Sequence, residues 1–328
     1  MKSNNQKYNI LAIINPISGG GKKEDLSSHI MDAVGGDIFN VSIAETMYSG
    51  HAYELAKQAI DKNHYAVIAV GGDGTINEVA SALVNSDVAL GIVPKGSGNG
   101  LARHIGIPMN TDNALNVINE NIIESYDYCT VNDRPFFCTC GVGFDAVVSE
   151  KFAESKKRGP ITYLKSTVAE FFKYQSESYK IILNDTSFTE KAFVIACCNA
   201  SQYGNNAYIA PNASMQDGLL DITMIHPFSA PESPFIGLLL FTKHIDIDTN
   251  IKSLRTSKVI IEREHEGVMH IDGEPINMGK RLEIECHPKG LKIFTPKNPH
   301  QWQPVIPPIS IADSFRDFVN GIRHELNI

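Results

Sequence analysis

The stretch Ala66 to Glu78, AVIAVGGDGTINE, leaves few choices for the fold around it. Its first five residues are an apolar run of the kind that makes a strand buried on both faces. The run stops at Gly71-Gly72-Asp73-Gly74-Thr75, after which Ile76, Val79, Ala80 and Leu83 recur at helical spacing. A parallel strand that turns through glycines into a helix leaves free backbone N–H groups and a positive helix end at the carboxyl edge of its sheet. Such an edge suits phosphate, and glycine lets the backbone approach an anion with no Cβ in the way. Asp73 needs a separate reason, because a bare carboxylate repels phosphate. It fits as a holder of Mg²⁺, directly or through water, or as a proton acceptor for an attacking hydroxyl. The plain structural alternative is a helix cap.

Three more junctions of this kind lie in the first hundred or so residues. Tyr8 to Ile14 is an apolar strand that runs into Asn15-Pro16-Ile17-Ser18-Gly19-Gly20-Gly21-Lys22. This loop is not a Walker P-loop, since the GxxxxGK[ST] spacing is missing. Ile38 to Ala44 reads as another strand, with Thr46 just beyond it and a helix opening at Ser49-Gly50-His51. Val88 to Val93 runs into Pro94-Lys95-Gly96-Ser97-Gly98-Asn99-Gly100. Alternating strands and helices predict a parallel, doubly wound α/β domain over residues 7–128, and four small-residue turns on one edge predict a nucleotide crevice.

Beyond Tyr128 the pattern changes to short β runs separated by turn residues. They are Phe136 to Cys140, Tyr179 to Leu183, Ala192 to Cys198, Leu219 to Ile225, Lys258 to Ile261, Gly267 to Ile271, Arg281 to Cys286 and Gly290 to Phe294. This predicts an antiparallel β-sandwich over 129–295. One helical interruption is expected from about Thr162 to Tyr174, after the basic triplet Lys156-Lys157-Arg158. It reads equally as a lid on the sandwich core or as the border of an acyl-chain pocket.

Composition narrows the function classes. A net charge of −8 argues against nucleic-acid binding. No stretch approaches the ~20 apolar residues of a membrane span, and the N-terminus lacks an apolar signal core, so a cytoplasmic protein peripheral to the membrane is expected. The six cysteines form no CxxC pair and read as reduced and structural.

The motifs NPxSGG at Asn15 to Gly20, GGDGTxNE at Gly71 to Glu78 and GxVPxGSGNxLA at Gly91 to Ala102 stand in a fixed order. Later come Gly141-Val142-Gly143-Phe144-Asp145, the segment from Asn199 to Asp221, and Asp272-Gly273-Glu274. Together these resemble the diacylglycerol kinase catalytic-domain family, which includes bacterial diacylglycerol kinases, YegS-like lipid kinases and the sphingosine and ceramide kinases. GGDGT alone also occurs in NAD kinases and phosphofructokinases, whose fold the first domain is expected to share.

The resemblance implies an ATP- and Mg²⁺-dependent kinase that phosphorylates a lipid hydroxyl. Its nucleotide candidates are Asn15, Ser18, Thr46, Gly71, Gly72, Asp73, Gly74, Thr75, Asn77, Glu78, Gly96, Ser97 and Asn99. It implies a general base in the DGE motif, Asp272 ahead of Glu274, assisted by Asp73. It also implies a structural Mg²⁺ held by Asp217 with the carbonyls of Ser214 and Leu219, although Asp217-Gly218 reads equally as a tight turn. Many relatives read GTxND where this chain has Gly96-Ser97-Gly98-Asn99-Gly100, which leaves a diacylglycerol-like and a sphingoid-like acceptor both open. An NAD kinase-like phosphotransferase and a non-catalytic lipid-binding regulator are the alternative readings. A Rossmann oxidoreductase would need GxGxxG after the first strand and an acid about 20 residues on, and Asn-Pro occupies that turn instead. The proline-rich stretch from Pro296 and the helical pattern from Ile309 to Leu326 are expected to pack back onto the first domain or onto a second subunit in a homodimer. A membrane-surface helix is the alternative there.

Overall fold

In the computed structural model, residues 7–18, 26–36, 38–154, 173–184 and 186–298 are described. The basic triplet, most of the helix expected at 162–174, the glycines of 19–21 and the tail from 299 lie outside these residues.

Apolar runs at two-sided burial build the parallel part. Strands β1 (Tyr8–Ile14), β2 (Phe39–Glu45), β3 (Ala66–Gly71) and β4 (Ala89–Pro94) alternate with helices α1 (Leu26–Ala33), α2 (His51–Asp61) and α3 (Asp73–Leu83). The parallel order is β2-β1-β3-β4. Every residue of β3 and β4 is buried, as strands covered by helices on both faces must be. Helices α4 (Gly100–His104) and α5 (Thr111–Asn119) follow. Asn110 caps α5, its side chain accepting a hydrogen bond from Asn113 N–H at 3.1 Å.

Strands β5 (Ile123–Val131), β6 (Arg134–Phe136) and β7 (Thr139–Gly143) lead into helix α6 (Phe144–Glu154). The rest is mostly antiparallel: β8 (Glu177–Leu183), β9 (Thr186–Ala192), β10 (Val194–Cys198), β11 (Leu220–Ile225), helix α7 (Ser233–Thr242), β12 (Ile251–Thr256), β13 (Lys258–Arg263), β14 (Gly267–Ile271), β15 (Glu274–Met278) and β16 (Arg281–Phe294). Six of these strands form one sheet, ordered β12-β11-β10-β7-β14-β15. The others extend the parallel sheet through β4-β16-β13-β8-β9, with β5 attached to β16 and β6 to β5.

Several sequence expectations change in detail. Arg281 to Cys286 and Gly290 to Phe294 are one strand, with a register irregularity between His287 and Leu291. Phe136 to Cys140 divides between β6 and β7, because the N–H groups of Phe137, Cys138 and Thr139 turn to a side-chain carboxylate. The polar strands β9 and β12 alternate exposed and half-buried residues and carry no continuous apolar run. All six cysteines are buried and free.

Strands β5 and β16 straddle two hydrophobic cores. Tyr126 and Tyr128 pack in the core of the parallel half, together with Leu291, Ile293 and Phe294. Cys129, Val131, Leu282, Ile284 and Cys286 pack between the two antiparallel layers. The chain therefore crosses from one core to the other inside β5 and crosses back inside β16. Ile293 is fully buried and pairs with Leu90 on β4 and Glu124 on β5. Ile293→Ala is expected to cost about 2–5 kcal/mol, read by denaturant unfolding. An unchanged midpoint contradicts the placement of this return strand in the first core.

Candidate active site

The site is built from the carboxyl ends of the parallel strands, where backbone donors collect. At the end of β1, Asn15 Nδ2 donates to Thr75 Oγ1 at 3.0 Å, and Asn15 Oδ1 accepts from Ile17 N–H at 3.1 Å. Ser18 N–H donates to the carbonyl of Asn15 at 3.1 Å, and Thr46 N–H to that of Ile14 at 2.9 Å. The first junction is thus set against the first turn of α3, and the second against the end of β1.

Asp73 is the first residue of α3, and its carboxylate joins two loops. Asp73 Oδ2 accepts from Asn99 N–H and Oδ1 from Gly100 N–H, both at 2.8 Å. Asn99 sits in the left-handed region (φ 52°) and closes its own loop, Oδ1 accepting from Gly96 N–H at 3.0 Å and Nδ2 donating to Gly96 O at 2.7 Å. The loops approach so closely that a Cβ on Gly96 would lie 2.7 Å from the Gly72 Cα. A Cβ on Gly100 would make only ordinary contacts, with the Cys138 sulfur at 3.4 Å and the Gly204 N at 3.7 Å. Ser97 stays exposed at the rim.

The antiparallel half supplies the opposite wall. Ile271 pairs with Glu274, so Asp272-Gly273 is a two-residue hairpin turn with positive φ at both positions (48° and 85°). The Asp272 carboxylate turns inward. Oδ1 accepts from the N–H of Cys138 (2.7 Å) and Thr139 (3.0 Å); Oδ2 accepts from Phe137 N–H (2.9 Å) and Asn77 Nδ2 (2.6 Å). A carboxylate has about four lone-pair positions, and four donors fill them. Burial pushes the Asp272 carboxyl above its ordinary value, against the pull of these donors. These four donors leave little acceptor capacity on Asp272, the first choice for general base, for a substrate hydroxyl. Glu274 is exposed, and its Oε1 lies 3.8 Å from where a Cβ on Gly74 would stand.

Glu78 turns to the second junction of this edge. Its carboxylate accepts from Gly50 N–H at 2.8 Å and Ala52 N–H at 3.1 Å, neutralising the start of α2. Three residues behind the site carried no role in the sequence reading. His270 is 1% exposed; its Nε2 lies 3.1 Å from Asp145 Oδ2, to which Tyr203 OH also donates at 2.9 Å. Gly273 N–H points to His270 Nδ1 at 3.4 Å, which places the ring proton on Nε2 and lets it donate to Asp145. Asp272 lies past the end of β14 in the left-handed region, so no strand periodicity in the sequence pointed to His270. Likewise His104, held well below its usual value at about 4 by burial, accepts from Ser201 N–H at 3.1 Å and joins α4 to the antiparallel half.

The expected Mg²⁺ loop does not fit a resident divalent ion. Asp217 pairs with Arg255 Nη2 and also accepts from Leu219 N–H at 3.1 Å; Arg255 Nε lies 3.2 Å from Asp221 Oδ1. A guanidinium stands at the carboxylate that Ser214 and Leu219 were expected to assist. Among the described residues no group of three or more His, Cys, Asp or Glu side chains gathers as a metal site. Around Asp73 the chemistry differs. Each oxygen there accepts one backbone hydrogen bond, so acceptor capacity remains.

Gly96→Ala is expected to destabilise the chain by roughly 1–3 kcal/mol, because the new Cβ forces the two loops apart. An unchanged unfolding midpoint contradicts the close approach of Gly72 and Gly96.

Comparison with known proteins covers both halves of the chain. Residues 9–131 match the diacylglycerol kinase catalytic domain, and residues 138–295 match the YegS C-terminal NAD kinase beta sandwich-like domain. The chain is 30% identical over 264 residues to the "Probable lipid kinase YegS" of Escherichia coli O127:H6, covering 78% of this chain and 86% of that one. A diacylglycerol kinase structure from Bacillus anthracis str. Sterne superposes with a TM-score of 0.67 at 19% identity, over 88% of this chain and 97% of that one. An NAD kinase from Archaeoglobus fulgidus, solved in complex with ATP, gives a TM-score of 0.50 at 13% identity over 96% and 98%. These last two show a shared fold. The chain belongs to the diacylglycerol kinase catalytic-domain family, with the YegS-type C-terminal domain.

Proposed function

We propose that the protein transfers the γ-phosphoryl group of ATP to a lipid hydroxyl in the crevice between the parallel edge and the Asp272–Glu274 turn. The observation that carries this reading is the placement of an exposed carboxylate, Glu274, against Gly74 of a loop rich in phosphate-directed N–H groups. Phosphoryl transfer asks for alignment and charge neutralisation more than for covalent chemistry. Asn15, Thr46, the Gly71–Asn77 loop, Ser97 and Asn99 line the edge where the nucleotide would lie. Asp73 would hold Mg²⁺ directly or through water, and the ion supplies charge neutralisation at the phosphates. Glu274 accepts the proton of the attacking hydroxyl as the new O–P bond forms and the bond to the β-phosphate oxygen breaks, releasing ADP. Asp272 and Asn77 fix the turn that presents Glu274, and His270 with Asp145 supports that turn from behind. Among the described residues no helix is long and apolar enough to cross a membrane, so a lipid acceptor would be reached from the membrane surface.

The test is phosphoryl transfer from ATP with Mg²⁺ to diacylglycerol, sphingosine, ceramide and phosphatidylglycerol in mixed micelles, with NAD⁺ as the competing acceptor. Transfer to one lipid supports the proposal; transfer to NAD⁺ alone overturns it. In the same assay Glu274→Gln is expected to lower kcat by roughly 10²- to 10⁴-fold with the thermal midpoint unchanged. Full activity in that variant removes Glu274 from the role of base. Asp272→Asn is expected to lower both kcat and the thermal midpoint, because an amide cannot accept from four donors. Loss of kcat with an unchanged midpoint would return Asp272 to the role of base.

A further inference from the structure

The loop expected to hold a structural divalent ion holds a guanidinium instead, and its surroundings show what that guanidinium does. Antiparallel pairing of β11 and β12 sets Asp221 directly across from Arg255. The side chain of Arg255 therefore starts beside one carboxylate, and its far nitrogen reaches a second, Asp217, in the loop before β11. Asp221 is only 8% exposed, and its Oδ2 has no hydrogen-bond partner. A buried carboxylate in that state is costly unless a cation stands beside it. Among the described residues Arg255 is the cation paired with both.

The loop it neutralises is a structural crossing point. Asp127, fully buried on β5, donates its N–H to Met215 O at 2.7 Å, and its carboxylate accepts from Gly218 N–H and Lys289 N–H, each at 2.7 Å. Met215 packs in the core of the parallel half, and Leu220 in the core between the antiparallel layers. Residues 215–220 thus pass between the two cores, and Asp217 and Asp221 bring two negative charges to that passage. An ion of fixed charge is required there; a guanidinium is always charged and offers several donors in one plane. Unlike a bound metal, it cannot dissociate.

We infer that Arg255 is the built-in cation of the Asp217–Asp221 loop, taking the place of a divalent ion and making the stability of the fold independent of divalent metal. Two consequences follow. The wild-type chain needs no metal at this loop, and removing the guanidinium leaves a pair of carboxylates that a hard divalent cation can neutralise.

The experiment is thermal unfolding of the full chain without nucleotide, in chelator and in excess Mg²⁺ or Mn²⁺, for the wild type and for Arg255→Gln. The wild-type midpoint is expected to be the same in both conditions. The Arg255→Gln midpoint is expected to fall by a few degrees in chelator and to recover with Mg²⁺ but not with monovalent salt of equal ionic strength. Mn²⁺ binding read by electron paramagnetic resonance is expected to rise by one ion per chain in the variant. A wild-type midpoint that drops in chelator overturns the inference. So does an Arg255→Gln midpoint that does not respond to divalent ions. Where Arg255→Gln fails to fold in chelator, soluble expression with added Mg²⁺ supports the inference and continued failure overturns it. None of these readouts depends on phosphoryl transfer, so the inference stands or falls apart from the proposed function.

Discussion

A carboxylate withdrawn from water must be met by donors or by a cation, and the structure meets three of them in different ways. Asp73 and Asp272 are answered by backbone N–H groups, together with the amide of Asn77; Asp221 is answered by Arg255. Hydrogen bonds to charged groups contribute about 1.5–3 kcal/mol each, and leaving such a group unpartnered costs more. Each carboxylate therefore fixes the elements whose donors it takes up. Asp73 binds the fourth βα junction to the third. Asp272 binds the β14–β15 hairpin to the start of β7 and, through Asn77, to helix α3. The crevice is shaped by these demands rather than by the shape of either half alone.

The same economy of contacts appears in the two strands that serve both cores. Because β5 and β16 each contribute side chains to the parallel half and to the antiparallel layers, the halves share backbone ladders as well as side-chain contacts. A loosened packing at Ile293 or Tyr126 is felt by the second core through the strand itself. Residues on the crossing loop, Met215 through Leu220, add a third connection, held in place by Asp127 and Arg255. The relation of the Gly71–Asn77 loop to the Asp272–Glu274 turn is consequently set by several independent ties.

Much of this was legible in the sequence because it rests on local chemistry. The strand-to-glycine-to-helix junctions at Gly71 and Gly96 announced themselves through buried-strand runs and helical spacing, and the Asp-Gly pair at 272–273 announced a hairpin as well as a site. What the sequence withheld was the destination of polar side chains across long separations. Nothing near Glu78 tells that its carboxylate caps α2, and nothing near Asp272 tells that residues 137–139 will fill it with donors. Arg255 lies in a polar strand with weak alternation, so its register against Asp221 emerges only once β11 and β12 are paired. Strands β9 and β12 were missed for the same reason, since half-exposed edge positions carry little apolar signal.

The central claim is that one nucleotide site is assembled from both halves of the molecule. Hydrogen–deuterium exchange of the full chain, with and without a non-hydrolysable ATP analogue and Mg²⁺, reads this directly. Slowed exchange at Gly71–Asn77 and Gly96–Gly100 together with the Asp272–Glu274 turn is the predicted result. Protection confined to other surfaces, or to the parallel edge with the turn unaffected, would contradict it.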